Sequence, residues 1–209
     1  MKIAITGANG FVGSYAVEQL RERGHEVLGI VRPSATFVFR VPGVEYVTLQ
    51  NAHTPEEWAR FVKNQDAVIH LIARTHHMNE KSTEDGVLFD KYMTVNFGIT
   101  KALVEGMEKE KIKRLLYVSS IKAVGEGAPV PYTEETPCAP QDFYGKSVCC
   151  KIQRKSKRET EIFLRQCDFL DVTILRPPLV YGGGVRGNFN QLLSAVAKKR
   201  PLPLGCLSD

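Results

Sequence analysis

A glycine-rich loop near the start of the chain constrains the fold more than any other sequence feature. The aliphatic run 3–6 has the composition of a buried strand, and Gly7, Gly10 and Gly13 follow it as G-x-x-G-x-x-G. The first glycine permits a tight turn, the second lets the backbone approach a pyrophosphate, and the third lets the next helix pack against the sheet. The spacing therefore predicts a dinucleotide-binding βαβ unit. Its predicted contact residues are Gly7, Gly10, Phe11, Val12 and Gly13.

Apolar runs alternate with segments of helical periodicity along the rest of the chain. The predicted strands cover residues 3–6, 27–31, 44–49, 67–72, 115–119 and 172–175. The predicted helices cover residues 12–23, 55–62, 89–108 and 144–166. Alternation of strands and helices is typical of a parallel sheet with helices on both faces, so we expect a doubly wound α/β fold.

Composition and charge exclude several classes of protein. The 209 residues include five cysteines, an odd number with no C-x-x-C pair, which argues against a disulfide framework and against a metal site. The net charge of +5 is modest, and we interpret the basic residues of 151–158 as a solvated helix face rather than a nucleic-acid surface. Neither a secretory signal nor a membrane span is expected. These observations favour a cytoplasmic protein.

The loop TGANGFVG resembles that of the extended short-chain dehydrogenases, which include NAD(P)-dependent nucleotide-sugar epimerases and dehydratases. Further motifs resemble that family in its order: HLIAR, VNFGIT, YVSSIKAVGE, TEETP, YGKS and RPPLVYG. The resemblance covers essentially the whole chain. It implies a Rossmann-type NAD(P)-binding domain over residues 1–180 and the start of a substrate-binding lobe over 181–209. Because relatives continue further, the resemblance implies a truncated C-terminal lobe.

The end of the second strand bears on the choice between the two nicotinamide cofactors. An acidic side chain there accepts from the ribose 2′-hydroxyl of NAD, whereas an arginine pairs with the 2′-phosphate of NADP. This chain has Arg32 there and no acidic residue nearby, so we favour NADP over NAD. The alternative is that Arg32 is a solvent-exposed loop residue without a role in cofactor binding. The resemblance assigns further cofactor contacts to Leu71, Ala73, Asn96 and Pro177.

Hydride transfer at a sugar alcohol also requires a group that moves the alcohol proton. The resemblance assigns this role to Tyr144, with the hydroxyl of Ser120 bonding the same oxygen. Since a tyrosine pKa is ordinarily near 10, a nearby ammonium is needed to favour the phenolate at neutral pH. The resemblance places Ser119, Lys122 and Asn188 against the substrate.

The lysine of the family pattern Y-x-x-x-K is missing at its usual spacing, where Val148 stands instead. Deleting residues 148–156 would restore the pattern, so Lys157 is identified as the displaced lysine. Along an unbroken helix, thirteen positions separate Tyr144 from Lys157 by about 20 Å, and nine extra residues rotate the downstream face by about half a turn. We therefore expect an interrupted helix. Either residues 148–156 bulge out and Lys157 folds back, or the helix repacks and Tyr144 loses its ammonium.

The resemblance implies an epimerase or 4-keto reductase that acts on a UDP-sugar by hydride transfer at C4, as in bacterial surface-polysaccharide synthesis. The insertion keeps an alternative open, namely a catalytically impaired NAD(P)-binding protein derived from this family. In relatives the helices matching 89–108 and 144–166 pair across a dimer interface. We therefore expect a homodimer.

Overall fold

Six parallel strands form one sheet in the computed structural model, which describes residues 1–74, 85–125, 132–133, 136, 148–185 and 188–200. The strands are β1 (Lys2–Thr6), β2 (Glu26–Val31), β3 (Glu45–Thr48), β4 (Ala67–His70), β5 (Arg114–Val118) and β6 (Asp171–Leu175). Their order is β3-β2-β1-β4-β5-β6, and every neighbouring pair is parallel. The predicted Rossmann-type doubly wound sheet is confirmed.

Helices cover both faces of this sheet. The helices in the same compact unit as the sheet are α1 (Phe11–Glu22), α2 (Pro55–Val62), α3 (Asp85–Tyr92), α4 (Ile99–Lys109) and α5 (Val148–Arg165), and α6 (Asn188–Ala197) follows later in the chain. The side chains of β1 alternate between the faces: Ile3 and Ile5 pack with Val17 of α1, whereas Ala4 packs with the core beneath α2 and α4. Burial on both faces explains the continuously apolar strands in the sequence.

Residues 89–108 are helical throughout, as predicted, but they do not form one regular α-helix. Helix α3 ends at Tyr92, a π-helical segment spans Met93–Gly98, and α4 begins at Ile99. The wider π turn accompanies the burial of Asn96, whose amide is hydrogen-bonded to groups outside the helix. Periodicity along the sequence does not register such a turn, because it depends on contacts with distant segments.

Of the two expected outcomes for the insertion, a bulge of residues 148–156 is wrong, since α5 runs unbroken from Val148 to Arg165. Beyond the insertion, Leu164 is fully buried, and Phe163 and Cys167 pack against the same core. The half-turn rotation describes only how the parts of a helix on either side of nine extra residues are oriented relative to each other. Packing of the downstream face against this core holds that part of the helix in place.

The inserted turns of α5 have their own small apolar cluster. Ile152 packs with Leu88 and Tyr92 of α3, and Phe89 lies beside them. Burial of this apolar surface offsets the entropy of ordering the segment, which accounts for its helical structure.

The chain divides into two compact units, one of residues Met1–Pro178 and one that begins at Leu179. The first unit contains the sheet and helices α1 to α5, and the second contains α6. The division lies two residues before the predicted boundary at residue 180. Assignment of the second unit to a substrate lobe stays a prediction. None of the helices in the described ranges is long and apolar enough to cross a bilayer.

Candidate functional site at the carboxyl edge of the sheet

The glycine loop makes a tight turn between β1 and α1. Gly7 adopts the left-handed region with φ of +68°, which favours glycine, and its amide donates to the Ile30 carbonyl at 2.9 Å. A Cβ on Gly13 would lie 2.2 Å from the carbonyl oxygen of Gly7. Helix α1 therefore approaches the end of β1 so closely that position 13 accepts glycine alone.

The first turn of α1 is open to an anion. Its N-cap residue, Gly10, provides no side-chain hydrogen bond in the described part of the chain, and no acidic side chain stands in the turn that begins at Phe11 and Val12. Amides at the start of a helix lack partners within the helix and form the positive end of its dipole. Strand β1 lies between β2 and β4, where the strand order reverses, which is the usual place of a ligand crevice.

The segment 71–74, which follows β4, forms one side of this crevice. A Cβ on Gly7 would lie 3.4 Å from the backbone of Leu71 and of Ile72, so the segment packs directly against the glycine loop. The amide of Arg74 donates to Oδ1 of Asn96 at 2.7 Å. The predicted cofactor residue Leu71 is therefore adjacent to the loop and Ala73 lies two residues further along the segment, while the side-chain amide of Asn96 is buried and hydrogen-bonded within the protein.

Arg32 follows β2 directly and is exposed. The chain after it is tied to the glycine loop, because Asn9 donates from Nδ2 to the Thr36 carbonyl at 3.0 Å and accepts at its own carbonyl from the Val38 amide at 3.1 Å. Arg32 thus stands at the same edge of the sheet as the loop, where the sequence predicted it.

Two consecutive serines, Ser119 and Ser120, follow the end of β5. The hydroxyl of Ser119 is buried and has no hydrogen-bond partner among the described residues. The hydroxyl of Ser120 accepts from the amide of Lys122 at 3.3 Å and so caps the 3-10 turn Ile121–Ala123. The carbonyl of Pro177 accepts from the Ile121 amide at 3.1 Å. These predicted site residues therefore converge where β5 and β6 end.

Lys157 lies at the same end of β5. Its Nζ donates to the Val118 carbonyl at 2.9 Å and sits 4.9 Å from the centre of the Tyr117 ring. Burial lowers the pKa of Lys157 to about 8, and the carboxylate of Glu161 one turn along α5 opposes that shift. Glu161 in turn accepts from Nε and Nη2 of Arg176 at 2.6 to 3.2 Å. An ammonium is therefore held next to the two serines.

The contribution of two further predicted site residues stays a prediction. Tyr144 lies outside the described residues, and Asn188 begins α6 in the second compact unit. On the unbroken helix α5, the residue one turn before Lys157 is the half-buried Gln153. The spacing Y-x-x-x-K is thus met here by glutamine rather than tyrosine.

Comparison with known proteins agrees with this arrangement. A family model described as "NAD dependent epimerase/dehydratase family" matches residues 3–206. The chain belongs to this family. A UDP-glucose 4-epimerase of Vibrio cholerae is 34% identical over 99% of this chain and 60% of its own length, and one of Streptomyces lividans is 30% identical over 70% and 44%. The chain thus spans about half to three fifths of these relatives.

Solved structures show the same fold in other members. UDP-N-acetylglucosamine 4-epimerase from Bacillus cereus superposes with a TM-score of 0.72 at 20% identity, over 97% of this chain and 64% of that one. The Bordetella bronchiseptica enzyme WbmG in complex with NAD and UDP superposes with a TM-score of 0.74 at 22% identity, over 96% and 60%. At these identities the likeness concerns the fold.

Sequence reasoning missed the buried polar residues behind the edge. His70 is fully buried between the hydroxyls of Thr6 and Thr100, and Glu161 is buried against Arg176. The sequence did contain a sign of this cluster, because His70 is a polar residue inside the apolar run 67–73. A buried imidazole requires hydrogen-bond partners. Burial, aided by the nearby charge of Lys157, lowers the pKa of His70 to about 3.

Replacement of Gly13 tests the close approach of α1 to the loop. Gly13→Ala brings a methyl group onto the Gly7 carbonyl, so we expect a loss of about 1–3 kcal/mol in the free energy of unfolding and weaker dinucleotide binding. In Gly86→Ala on α3, the added Cβ meets nothing within 4 Å, so this control gains about 0.5–1 kcal/mol. Urea denaturation measures both. Equal stability of the two variants would contradict the contact.

The pH dependence of stability tests the neutral state of His70. The pKa of His70 is lower in the folded chain than in the unfolded chain. The contribution of His70 to the free energy of unfolding is therefore full above about pH 6.5 and is lost as the pH falls toward about 3. Relative to His70→Gln, the wild type should lose about 2 kcal/mol in the free energy of unfolding between pH 7 and pH 5. Urea titrations at both pH values measure this difference. An equal loss in both proteins would show that His70 does not cause it.

Proposed function

We propose that the chain binds a nicotinamide dinucleotide at the carboxyl edge of its sheet and acts as a nucleotide-sugar 4-epimerase. The observation that supports this proposal best is the close approach of Gly13 to the Gly7 carbonyl. It places the first turn of α1, which has no side-chain cap, beside the crevice at β1 and β4. A pyrophosphate fits such a cradle because backbone amides can approach it closely and the helix dipole favours its charge. Similarity to the 4-epimerases supports a UDP-sugar as the substrate.

NADP is the proposed form of the cofactor. Arg32 is the charged side chain that directly follows β2, and its guanidinium suits a 2′-phosphate. The connection of Asn9 to Thr36 and Val38 holds the following chain close to the glycine loop, which keeps Arg32 beside the predicted ribose position. NAD, which is bound in the solved complex of WbmG, is the alternative cofactor for this chain.

In this mechanism the chain handles the proton of the sugar alcohol. A bound nicotinamide supplies the hydride acceptor and donor, and Tyr144 removes and returns the hydroxyl proton at C4. The ammonium of Lys157 stabilises the phenolate form of that tyrosine, and Ser120 donates a hydrogen bond to the same sugar oxygen. A lysine pKa of about 8 leaves Lys157 mostly charged at neutral pH, as this role requires.

A second candidate function is dinucleotide binding without turnover. It is favoured by the unbroken helix α5, which places Gln153, not a tyrosine, one turn before Lys157. An amide side chain does not exchange protons near neutral pH, so it does not serve as the acid or base. Under this proposal the loop and Lys157 hold the cofactor, and Tyr144 does not reach it.

Replacement of Lys157 tests the catalytic proposal. Titration with NAD(H) and NADP(H) measures binding, and incubation with UDP-glucose and UDP-N-acetylglucosamine, followed by NMR of the sugar, measures inversion at C4. We expect Lys157→Met and Tyr144→Phe each to lower the rate by about 100-fold or more. The control Lys155→Met replaces an exposed lysine of the same helix and should leave the rate unchanged.

The same assays separate the two candidates. Binding with undetectable inversion in the wild type would favour the second function, and Gln153→Tyr, which completes Y-x-x-x-K on α5, should then introduce turnover. Full activity of Tyr144→Phe would rule out the proton transfer assigned to Tyr144. Absence of dinucleotide binding would rule out both candidates.

We further propose that the protein is a homodimer through the face of α3, α4 and α5. Val87 on α3 and Ile162 on α5 are large apolar side chains exposed on these helices, at 43% and 40%. Sedimentation equilibrium should give twice the mass of one chain, and Ile162→Lys should shift the population toward one chain because an ammonium in the interface is costly. Ile162→Val is the matched control. A wild type that sediments as a single chain at micromolar concentration would contradict the dimer.

A further inference from the structure

A line of buried hydrogen bonds runs behind the glycine loop from β1 to α4, and His70 at the end of β4 stands in its middle. Its Nδ1 lies 2.8 Å from Oγ1 of Thr6, and its Nε2 lies 3.1 Å from Oγ1 of Thr100. The Thr100 hydroxyl donates to the Asn96 carbonyl at 2.6 Å, and the Leu71 amide donates to Oγ1 of Thr6 at 3.1 Å. His70, Thr6 and Thr100 are fully buried.

Counting hydrogens sets the direction of these bonds. The single hydroxyl hydrogen of Thr100 goes to Asn96, so Nε2 of His70 must carry the proton that Thr100 accepts. In a neutral imidazole, Nδ1 is then an acceptor, and Thr6 donates to it. The oxygen of Thr6 remains free to accept from Leu71. This arrangement satisfies every partner with one tautomer, Nε2–H.

The line of bonds holds segment 71–74 at both of its ends. At the start, the Leu71 amide binds Thr6, and at the end, the Arg74 amide binds the side chain of Asn96, whose carbonyl is bound by Thr100. Between these points the segment packs at 3.4 Å from where a Cβ of Gly7 would be. The same buried groups therefore fix the backbone that borders the glycine loop.

We propose that His70 is a positioning residue for the cofactor: its Nε2–H tautomer orients the Thr6 hydroxyl and thereby fixes segment 71–74 against the glycine loop, which sets dinucleotide affinity. This inference rests on the proposed function only in that the loop binds a dinucleotide. The ring is also stacked on Tyr117, with centroids 6.0 Å apart, which restrains its plane. An imidazole bonded on both sides and stacked on one face has one orientation, so the Thr6 hydroxyl has one as well.

A pair of substitutions at Thr100 tests the proposal at a distance from the loop. Thr100→Val keeps the volume but removes the acceptor of Nε2–H, whereas Thr100→Ser keeps the hydroxyl and loses a methyl group. We expect the dissociation constant for NADP, or for NAD if it binds more tightly, to rise about tenfold in the valine variant and less than twofold in the serine variant. Isothermal titration calorimetry measures the constants, and thermal unfolding is recorded in parallel.

A core substitution separates affinity from stability. Leu103→Ala on α4 opens a cavity in the same core, so it should lower the melting temperature without changing the dissociation constant. If affinity follows melting temperature through all three variants, His70 acts only through stability and the proposal is overturned. If the wild type binds neither dinucleotide, the proposed function fails; if the wild type and Thr100→Val bind equally well, the role of His70 alone fails.

The tautomer itself can be observed in the wild type, which does not depend on the folding of any variant. Long-range proton–nitrogen spectra of the chain labelled at histidine nitrogen distinguish Nε2–H from Nδ1–H and from the imidazolium. We expect Nε2–H for His70 at pH 7, with or without dinucleotide. An Nδ1–H ring or an imidazolium at that pH would overturn the proposal, because Thr6 would no longer donate to it.

Discussion

The contact between Gly13 and the carbonyl oxygen of Gly7 is the constraint on which the rest of the site depends. With no side chain at position 13, helix α1 approaches the end of β1 closely, since a Cβ on Gly13 would lie 2.2 Å from the carbonyl oxygen of Gly7. The first amides of α1 therefore face the crevice between β1 and β4 without a competing side chain from Gly10. Segment 71–74 packs against the same loop from the other side. A wider separation of helix and strand would remove the cradle.

The buried charged groups near the end of β5 share their partners. The carboxylate of Glu161 is bonded by the half-buried Arg176 and also faces the charge of the buried Lys157, so that two cations share one buried anion. Removing an ion from water costs several kcal/mol, which is why the ammonium of Lys157 also takes the Val118 carbonyl and the face of Tyr117 as partners. His70 avoids this cost by staying neutral. Lys157 thus places a buried charge near the end of β5, whereas His70 behind the glycine loop is neutral.

The fold was largely predictable because its strands and the loop depend on local pattern. Apolar runs bounded by turn residues predicted all six strands, and the glycine spacing predicted the turn at Gly7. The helix over 89–108 was not predictable as built, since the π-helical segment at Asn96 depends on bonds to Arg74 and Ser156, which are distant in sequence. Of the predicted site residues, the glycines, Arg32, Ser120 and Lys157 lie at the carboxyl edge of the sheet, and their roles stay predictions. Thr6, His70 and Thr100 were not, because a hydroxyl or imidazole acquires its role from the partners that burial gives it.

The sequence by itself determined the strand–loop–helix unit at residues 2–22 and the alternation that produces a doubly wound sheet, because both follow from steric limits on glycine and from the period of apolar residues. Only the tertiary structure decided the course of α5 after an insertion of nine residues. Periodicity shows that a helix has an apolar face but not which part of the chain remains in contact with the core. Packing of Phe163 and Leu164 decided that the downstream part stays in place. Gln153 therefore precedes Lys157 by one turn. The tertiary structure also decided the tautomer of His70, because the single hydroxyl hydrogen of Thr100 is donated to the Asn96 carbonyl.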